Sequence, residues 1–433
     1  MGLRRVLSDQ SVTRLSQPVD PRFELPALAV QDESRPTVFE SVEGYPGVTA
    51  VANLVSSREG IAAALGVEPE EIIERMGAGM DAPEPLEEPV APSFEHVASD
   101  PDLEAHLPIP VFYEDHERQY FASSVVVVKD PETGVHNLSF HRMMYESGNR
   151  LVVRMVERHL HSIYSRAGGP LEVAVVMGVH PAVEIAAATS FGPDMSELEL
   201  ANALLDGPLP VADLDGLLVP AEAEVVLRAR ILEEQREEGP FVDLSRTWDT
   251  IREQPAVEVT DLYMRPDPYA RIIVPGKREH AHLMGMPQEP RIYKIVENTV
   301  PTVQDVVLTP GGSSWLHGVV QIEKRTEGDP KNAAIAALAA HPSMKKVTVV
   351  DEDIDPADPD AVEWATATRM QPHADIETIE RAKGSSLDPS QDYESRTLTK
   401  WLVDATIPHD RDPSEFREVE VPGAADCTLE DYR

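Results

Sequence analysis

The stretch FASSVVVVKDPETGVHNLSFHRMMYESGNRLVVRMVERHLHSIYSRAGG (121–169) decides the fold class. FASSVVVVKD (121–130) is dense in β-branched residues and reads as a strand, closed by a turn at PETG (131–134). HNLSFHRMMY (136–145) and NRLVVRMV (149–156) continue a β-rich middle. HLHSIYSRAGG (159–169) then reads as a helix that Gly168 and Gly169 stop.

Working outward, LEVAVVMGVH (171–180) reads as a buried strand and SELELANALL (196–205) as a helix. Upstream, residues 1 to about 95 form a first α/β segment, with a strand at PTVFESV (36–42) and an amphipathic helix at SREGIAAALGV (57–67). GMDAPEPLEEPVAPSFEH (79–96) is rich in proline and acid, as a loop would be. In the last third, DVVLT (305–309), WLHGVVQIE (315–323), KNAAIAALAAH (331–341), KKVTVVDEDID (345–355), DAVEWATATRM (360–370) and ADIETI (374–379) alternate strand and helix. That rhythm predicts an α/β layer of mainly parallel strands. After about residue 408 the chain is polar and reads as extended, and no internal repeat is found.

With 433 residues, 42% of them hydrophobic, the chain can bury two or three cores. No apolar run reaches the ~18 residues that span a bilayer, and MGLRRVLSDQ (1–10) lacks the apolar core of a secretory leader. Acidic residues number 76 against 38 basic ones, a net charge of −38 spread along the chain. Such a surface keeps its hydration when salt screens charge, which predicts a salt-loving cytoplasm. It also repels nucleic acid and anionic membranes. The single cysteine, Cys427, excludes an intrachain disulfide.

Several residue types could carry chemistry. In NLSFHR (137–142) an amide oxygen, Asn137, can ligate a hard cation and a guanidinium, Arg142, can hold a carboxylate through two bonds. By itself Arg142 reads more readily as a surface residue, as most arginines in a β-rich segment are. His159 opens a helix, where the dipole keeps an imidazole neutral and able to bind metal; His161 would face elsewhere. Glu197 needs no catalytic explanation, because Asp194 with Glu197 and Ser196 with Glu199 both have capping-box spacing. EEGPFVD (237–243) sets Glu238 and Asp243 around a Gly-Pro turn, with Phe241 and Val242 as apolar neighbours that can raise a carboxyl towards the range of a general acid. GKREHAHLMGMPQEPRIY (276–293) gathers Lys277, Arg278, Glu279, His280 and His282, a basic knot suited to an anion. TPGGSSW (309–315) lacks the lysine of a phosphate-binding loop.

The order of these pieces, N-x-S-x-x-R, a helix-start His, S-E-x-E-L-A-x-A-L, E-G-P-F-x-D, V-D-E-D-I-D and W-A-x-A-T-R, resembles the UbiD family of decarboxylases over residues 107 to 407. The resemblance implies an α/β protein: an N-terminal α/β segment (1–105), a split β-barrel flavin-binding and catalytic domain (106–295), and a C-terminal α/β oligomerisation domain with a polar tail (296–433). It implies prenylated FMN, with Asn137, His159 and Glu197 ligating Mn2+ or Mg2+ at the flavin phosphate. Ser139, Phe140, His141, Arg142, Arg158, Ser190 and Lys400 would also contact the cofactor, and K+ would sit near Ala188–Ser190 and Glu197. Arg142, Glu238 and Asp243 would face a small-molecule carboxylic acid, Asp243 as proton donor and Glu238 holding Arg142. A flavin prenyltransferase would supply the cofactor, and a homodimer or homohexamer is expected in the cytoplasm, with no membrane partner.

The chain departs from the family pattern at Asp243, where many members have Glu, at Val242, where Gly is usual, and at LLDG (204–207), one residue longer. EEGPFVD, EHAHLMGMPQEPRIY, NTVPTVQDVVLTPGGSSWLHGVVQIEKRTEGDPKNA and AKGSSLDPS look like the archaeal branch assigned as anhydromevalonate phosphate decarboxylases, which make isopentenyl phosphate. The basic knot would then hold the substrate phosphate. The alternatives are an aromatic-acid decarboxylase of the 4-hydroxybenzoate type in quinone biosynthesis, a non-catalytic flavin-binding subunit, and a colourless metal hydrolase built on Asn137, His159 and Glu197.

Overall fold

The computed structural model describes residues 2–419 and 421, apart from 116, 191, 193 and 393. Cys427 lies outside the described residues. The chain divides into two compact units, one built from the described residues of 1–291, 310–316 and 385–391, the other from those of 292–309, 317–384 and 392 onward. Among the described residues no helix is long and apolar enough to cross a membrane.

The first unit holds two main sheets and two two-stranded ones, Val211–Leu214 with Leu217–Pro220 and Phe241–Val242 with Trp248–Asp249. Thr13–Leu15, Thr37–Phe39 and Thr49–Ala52 make a small sheet whose fourth strand, Tyr269–Arg271, arrives from far along the chain. The larger sheet has nine strands, and every pairing in it is antiparallel. Its path runs Tyr120–Phe121, Met143–Ser147, Arg150–Val153, Arg252–Met264, Val225–Glu238, Leu171–Met177, Val125–Lys129, His136–Phe140, with Glu95–Ser99 also on Arg252–Met264.

The valine run explains this sheet. Val125 and Val127 face one core, with Leu138, Ala174 and Val176; Val126 and Val128 face another, with Val173, Val175 and Leu227. A strand buried on both faces reads as a continuous apolar run, not as an alternation.

The predicted strand at 121–130 is broken after Phe121, and that at 136–145 after Phe140. Both breaks have the same cause. Tyr120–Phe121 and Val125–Lys129 lie at opposite ends of the sheet path, as do His136–Phe140 and Met143–Ser147. Only His141 and Arg142 separate the latter two strands. Three Cα steps reach about 11 Å at most, so the sheet has to curl until its ends nearly meet. This is the geometry of a split barrel. The two crossing segments are bonded to each other, His141 N to Ser124 O at 3.1 Å. Arg142 therefore stands at the seam.

Helices cover the first core. Arg58–Leu65 is capped by Ser57, whose side chain accepts from the Gly60 amide, and ends at Gly66 in the left-handed region. Glu197–Ala203 packs beside Pro181–Ala188, a helix the sequence reading passed over because its alanine-rich surface, apolar but for Glu184, has no periodic polar face.

The second unit has five strands in the order Val303–Leu308, His317–Ile322, Lys346–Asp351, Thr397–Asp404, Ile376–Lys383. The three central strands are parallel, but both edge pairings are antiparallel, which corrects the expectation of mainly parallel strands. Parallel neighbours need a crossover of a dozen or more residues. Asp329–Ala340 and Pro359–Arg369 supply helices for such crossovers, whereas no long helix joins either edge strand to its partner. The polar tail is also not wholly extended: Pro413–Phe416 forms a short 3-10 turn that Asp412 caps through the Ser414 amide.

Candidate active site

At the seam, the Arg142 side chain is 8% exposed and meets three carboxylates. Its Nε donates to Glu238 Oε1 at 2.8 Å and its Nη2 to Glu238 Oε2 at 3.0 Å. Nη1 donates to Asp243 Oδ2 at 2.9 Å and Nη2 also to Asp249 Oδ2 at 3.0 Å. The guanidinium lies 4.4 Å from the centroid of the Phe241 ring, within cation–π range. Burial alone would lower Arg142; Glu238, Asp243 and Asp249 outweigh it and raise the guanidinium above its ordinary value.

Glu238 is fully buried and takes a third bond from Tyr120 Oη at 3.0 Å. Burial, then the Glu238 charge, pushes the Tyr120 hydroxyl well up, so it keeps the proton it donates to Glu238. Phe241 packs edge-on against Tyr120 with centroids 4.8 Å apart. The turn between Glu238 and Phe241 depends on Gly239. Its φ is +105°, and a Cβ there would come within 3.3 Å of Ile251 Cα and Thr250 O. Asp243, 19% exposed at its side chain, accepts the Leu244 amide on Oδ1 at 2.8 Å. Phe241–Val242 pairs with Trp248–Asp249, which brings Asp249 back to Arg142. Arg252 holds Asp249 from the other side with two bonds of 2.6 Å.

His280 joins this group. Its ring centroid is 6.4 Å from that of Phe241, and its Nδ1 accepts the Gly276 amide at 3.0 Å. Burial lowers its pKa, so the ring is neutral with its proton on Nε2.

The second cluster lies on His136–Phe140, the strand that leads into the seam. Asn137 Nδ2 donates 3.0 Å to each oxygen of Glu197, and the Leu138 amide donates 2.8 Å to Glu197 Oε2. Glu197 is 1% exposed with no cationic side chain paired to it among the described residues, and burial raises it to about 7. Asn137 Oδ1 is buried with no donor. Asn137 and His159 line one hollow with Asp130, Arg166 and Met195, and His161 is not part of it. An orphaned amide oxygen, an uncompensated carboxylate and an imidazole suit a divalent cation. Among the described residues no three His, Cys, Asp or Glu side chains cluster as a metal site, so any cation here depends on the asparagine. Glu197 is not a cap: Ser196 fills that role, accepting the Leu198 amide at 3.3 Å.

The remaining candidates spread out. His141 lies between Ser139 Oγ and Arg154 O, both at 2.9 Å, and burial lowers it to about 4. Its Nδ1 therefore donates to the carbonyl and its Nε2 accepts from Ser139. Phe140 is half-buried, while Arg158 and Ser190 are exposed. Lys400 belongs to the second unit, where its ammonium donates to Pro342 O at 2.6 Å. The basic knot comes apart. Glu279 is taken by Arg271 and by the amides of Asn53 and Val55, Arg278 is exposed, and His282 is buried, lowered to about 4 by burial.

The sequence reading missed Tyr120, Asp249 and Arg252. Asp249 and Arg252 are spaced as an ion pair three apart, but in so acidic a chain that spacing carries little signal.

A split-barrel sheet with an acid-ringed arginine at its seam, and a carboxylate–amide pair on the strand that leads into that seam, defines an α/β protein with a site suited to a carboxylate. The chain belongs to the UbiD family: the N-terminal, Rift-related and C-terminal domains of 3-octaprenyl-4-hydroxybenzoate carboxy-lyase match residues 3–80, 84–278 and 281–405. It is 44% identical over 410 residues to an anhydromevalonate phosphate decarboxylase of Methanocaldococcus jannaschii, covering 93% of this chain and 96% of that one. A protein of the same name from Methanosarcina mazei is 40% identical over 93% of this chain and 94% of its own. Among solved structures, the UbiD-class enzyme HmfF from Pelotomaculum thermopropionicum in complex with FMN superposes with a TM-score of 0.95 at 37% identity, covering all of both chains.

Proposed function

We propose that the protein is a prenylated-FMN-dependent decarboxylase that converts trans-anhydromevalonate 5-phosphate to isopentenyl phosphate and CO2. The observation that carries this reading is the contact of Arg142 with both Glu238 and Asp243. The substrate follows from five relatives of 37–44% identity that are named anhydromevalonate phosphate decarboxylases. The flavin follows from HmfF structures with FMN and with prFMN.

Asn137, His159 and Glu197 would hold Mn2+ or Mg2+ at the flavin phosphate, K+ would sit by Ala188–Ser190, and Ser139, Phe140, His141, Arg158, Ser190 and Lys400 would line the cofactor. When bound, the prenylated flavin supplies the electron sink that lets a carboxylate leave as CO2. The chain's own residues do the rest. Arg142 receives the substrate carboxylate and, with Phe241 against its face, sets it in a largely dry place. Glu238, anchored by Tyr120, fixes the plane of Arg142. Asp243, partly exposed beside Arg142, gives the proton that replaces CO2 on carbon and regains one from solvent. The products are one CO2 and one alkene carrying the transferred proton. A homodimer or homohexamer in a salt-loving cytoplasm, supplied by a flavin prenyltransferase, completes the proposal.

The test is protein co-expressed with a flavin prenyltransferase: mass analysis of the released cofactor, then CO2 release from trans-anhydromevalonate 5-phosphate. Prenylated flavin with CO2 supports the whole reading. Prenylated flavin without CO2 turns the search to aromatic acids, since two relatives of 28–29% identity are named phenolic acid decarboxylases. A flavin-free protein that hydrolyses esters with bound metal would overturn the reading.

A further inference from the structure

Arg142 has five N–H groups, and its bonds to protein use four of them. The Nε/Nη2 edge is forked onto Glu238. The Nη1/Nη2 edge, the other one that matches a carboxylate, is shared by Asp243 on Nη1 and Asp249 on Nη2. A substrate carboxylate gains no bond on this edge until one of these acids yields.

The two acids differ in what they have to fall back on. Among the described residues Asp243 has no second cation; its other oxygen takes the Leu244 amide. Asp249 already makes two bonds to Arg252, both shorter than its single bond to Arg142. Withdrawal of Asp249 costs it one bond of four, since the Thr250 amide also donates to its Oδ1 at 2.9 Å, and leaves its charge paired. Withdrawal of Asp243 strands a carboxylate in a largely buried site, the costlier outcome.

We infer that Asp249 is a positioning residue that holds the place of the substrate carboxylate on Arg142 and is handed to Arg252 when substrate binds. This rests on the reading of Arg142 as the carboxylate's seat. The partners keep Asp249 ionised throughout: although burial raises it, the bonds and charges of Arg252 and Arg142 hold it below its ordinary value. Arg252 is thus the acceptor of a displaced anion, and Asp249 keeps Arg142 aligned in the empty site.

The measurement is the inhibition constant of the saturated substrate analogue, 3-methyl-5-phosphonooxypentanoate, against the flavin-loaded enzyme and a double-mutant cycle of Asp249→Asn and Arg252→Gln. The placeholder predicts that Asp249→Asn tightens inhibition, and that Arg252→Gln weakens it about threefold or more while Asp249 is present but changes little in the Asp249→Asn background. A simple charge effect predicts instead that Arg252→Gln weakens inhibition by the same factor in both backgrounds; that result, or weaker inhibition in Asp249→Asn, overturns the inference. Arg252→Lys, which keeps the charge and loses the fork, serves where Arg252→Gln does not fold, and is expected to weaken inhibition only while Asp249 is present. Inhibition unchanged in Arg142→Lys sinks the seat itself and the placeholder with it, whereas an additive cycle sinks the placeholder alone.

Discussion

Asn137 and Glu197 meet through one amide nitrogen that donates 3.0 Å to both carboxylate oxygens, leaving Asn137 Oδ1 buried without a donor. The proposed cation would meet this pair, and burial raises Glu197 to about 7 against an ordinary 4.5. Between those values the folded protein keeps a proton that the unfolded chain releases. Stability of the metal-free protein therefore falls as pH rises from about 4.5 to 7, by at most about 3 kcal/mol. Thermal melts in chelator at pH 5 and pH 8 check this. Added Mn2+ is expected to stabilise the protein at pH 8 and far less at pH 5, where Glu197 holds its proton, and Glu197→Gln is expected to abolish both the metal effect and this part of the pH dependence.

Asp243→Asn keeps the bond that Arg142 Nη1 makes to Oδ2 if the amide presents its oxygen there, but it cannot pass a proton. Turnover is expected to fall on the order of 10²-fold or more with flavin content unchanged. Arg142→Lys is expected to do comparable damage for another reason: a lysine ammonium is a point charge and cannot keep the planar fork on Glu238 while reaching Asp243 and Asp249. Stopped-flow and flavin absorbance separate these from cofactor loss, and wild-type turnover in Asp243→Asn would remove Asp243 as the donor.

Asn137, Arg142, Glu238 and Asp243 stood out through the order of their motifs, since each alone also reads as an ordinary surface or turn residue, and the structure brings Arg142 against Glu238 and Asp243. Asp249 did not stand out, because what marks it is its bond to Arg142, 107 positions away. Glu184 was passed over for a related reason: its helix, Pro181–Ala188, carries one acid on an otherwise apolar surface, and only the fold shows Arg271 facing it. The strand breaks at 122–124 and 141–142 were invisible for a different reason. β propensity runs straight through both, and the chain crosses there only because the sheet curls. In the second unit, the antiparallel edges depend on connection length and course, which an alternation of strand and helix does not fix.

Arg271 is fully buried and spends all five N–H groups, two on Glu184, two on Glu279 and one on the Ile272 carbonyl. It ties the strand Tyr269–Arg271 to the helices Pro181–Ala188 and Arg278–Gly285, the latter carrying His280. Arg271→Met leaves two buried carboxylates without their cation and is expected to cost about 3–5 kcal/mol. Arg271→Met with Glu184→Met is expected to recover part of that loss, because one stranded charge goes with its partner. Urea unfolding of the three proteins decides it; equal stability of the single and double variants would show that Glu184 contributes nothing to the cost.

The excess of 76 acidic over 38 basic residues makes a separate demand. Many surface arginines are already paired, among them Arg166 with Asp130 and Glu132, and Arg228 with Asp215 and Glu172. What remains is mostly unpaired carboxylate, whose mutual repulsion opposes folding at low salt. At 0.1 M salt, charges within about 10 Å feel one another, while at 1 M the range is about 3 Å. The melting temperature is therefore expected to rise as KCl increases from 0.1 M to 2 M, steeply at first and then less so as screening saturates. NaCl is expected to give the same screening gain, so any stabilisation specific to K+ beyond it reports a bound cation instead of the general field. Melts in the two salts at matched ionic strength, on the wild type and on Glu197→Gln, distinguish the two effects. A melting temperature that falls with salt would show that the attractive pairs outweigh the repulsion.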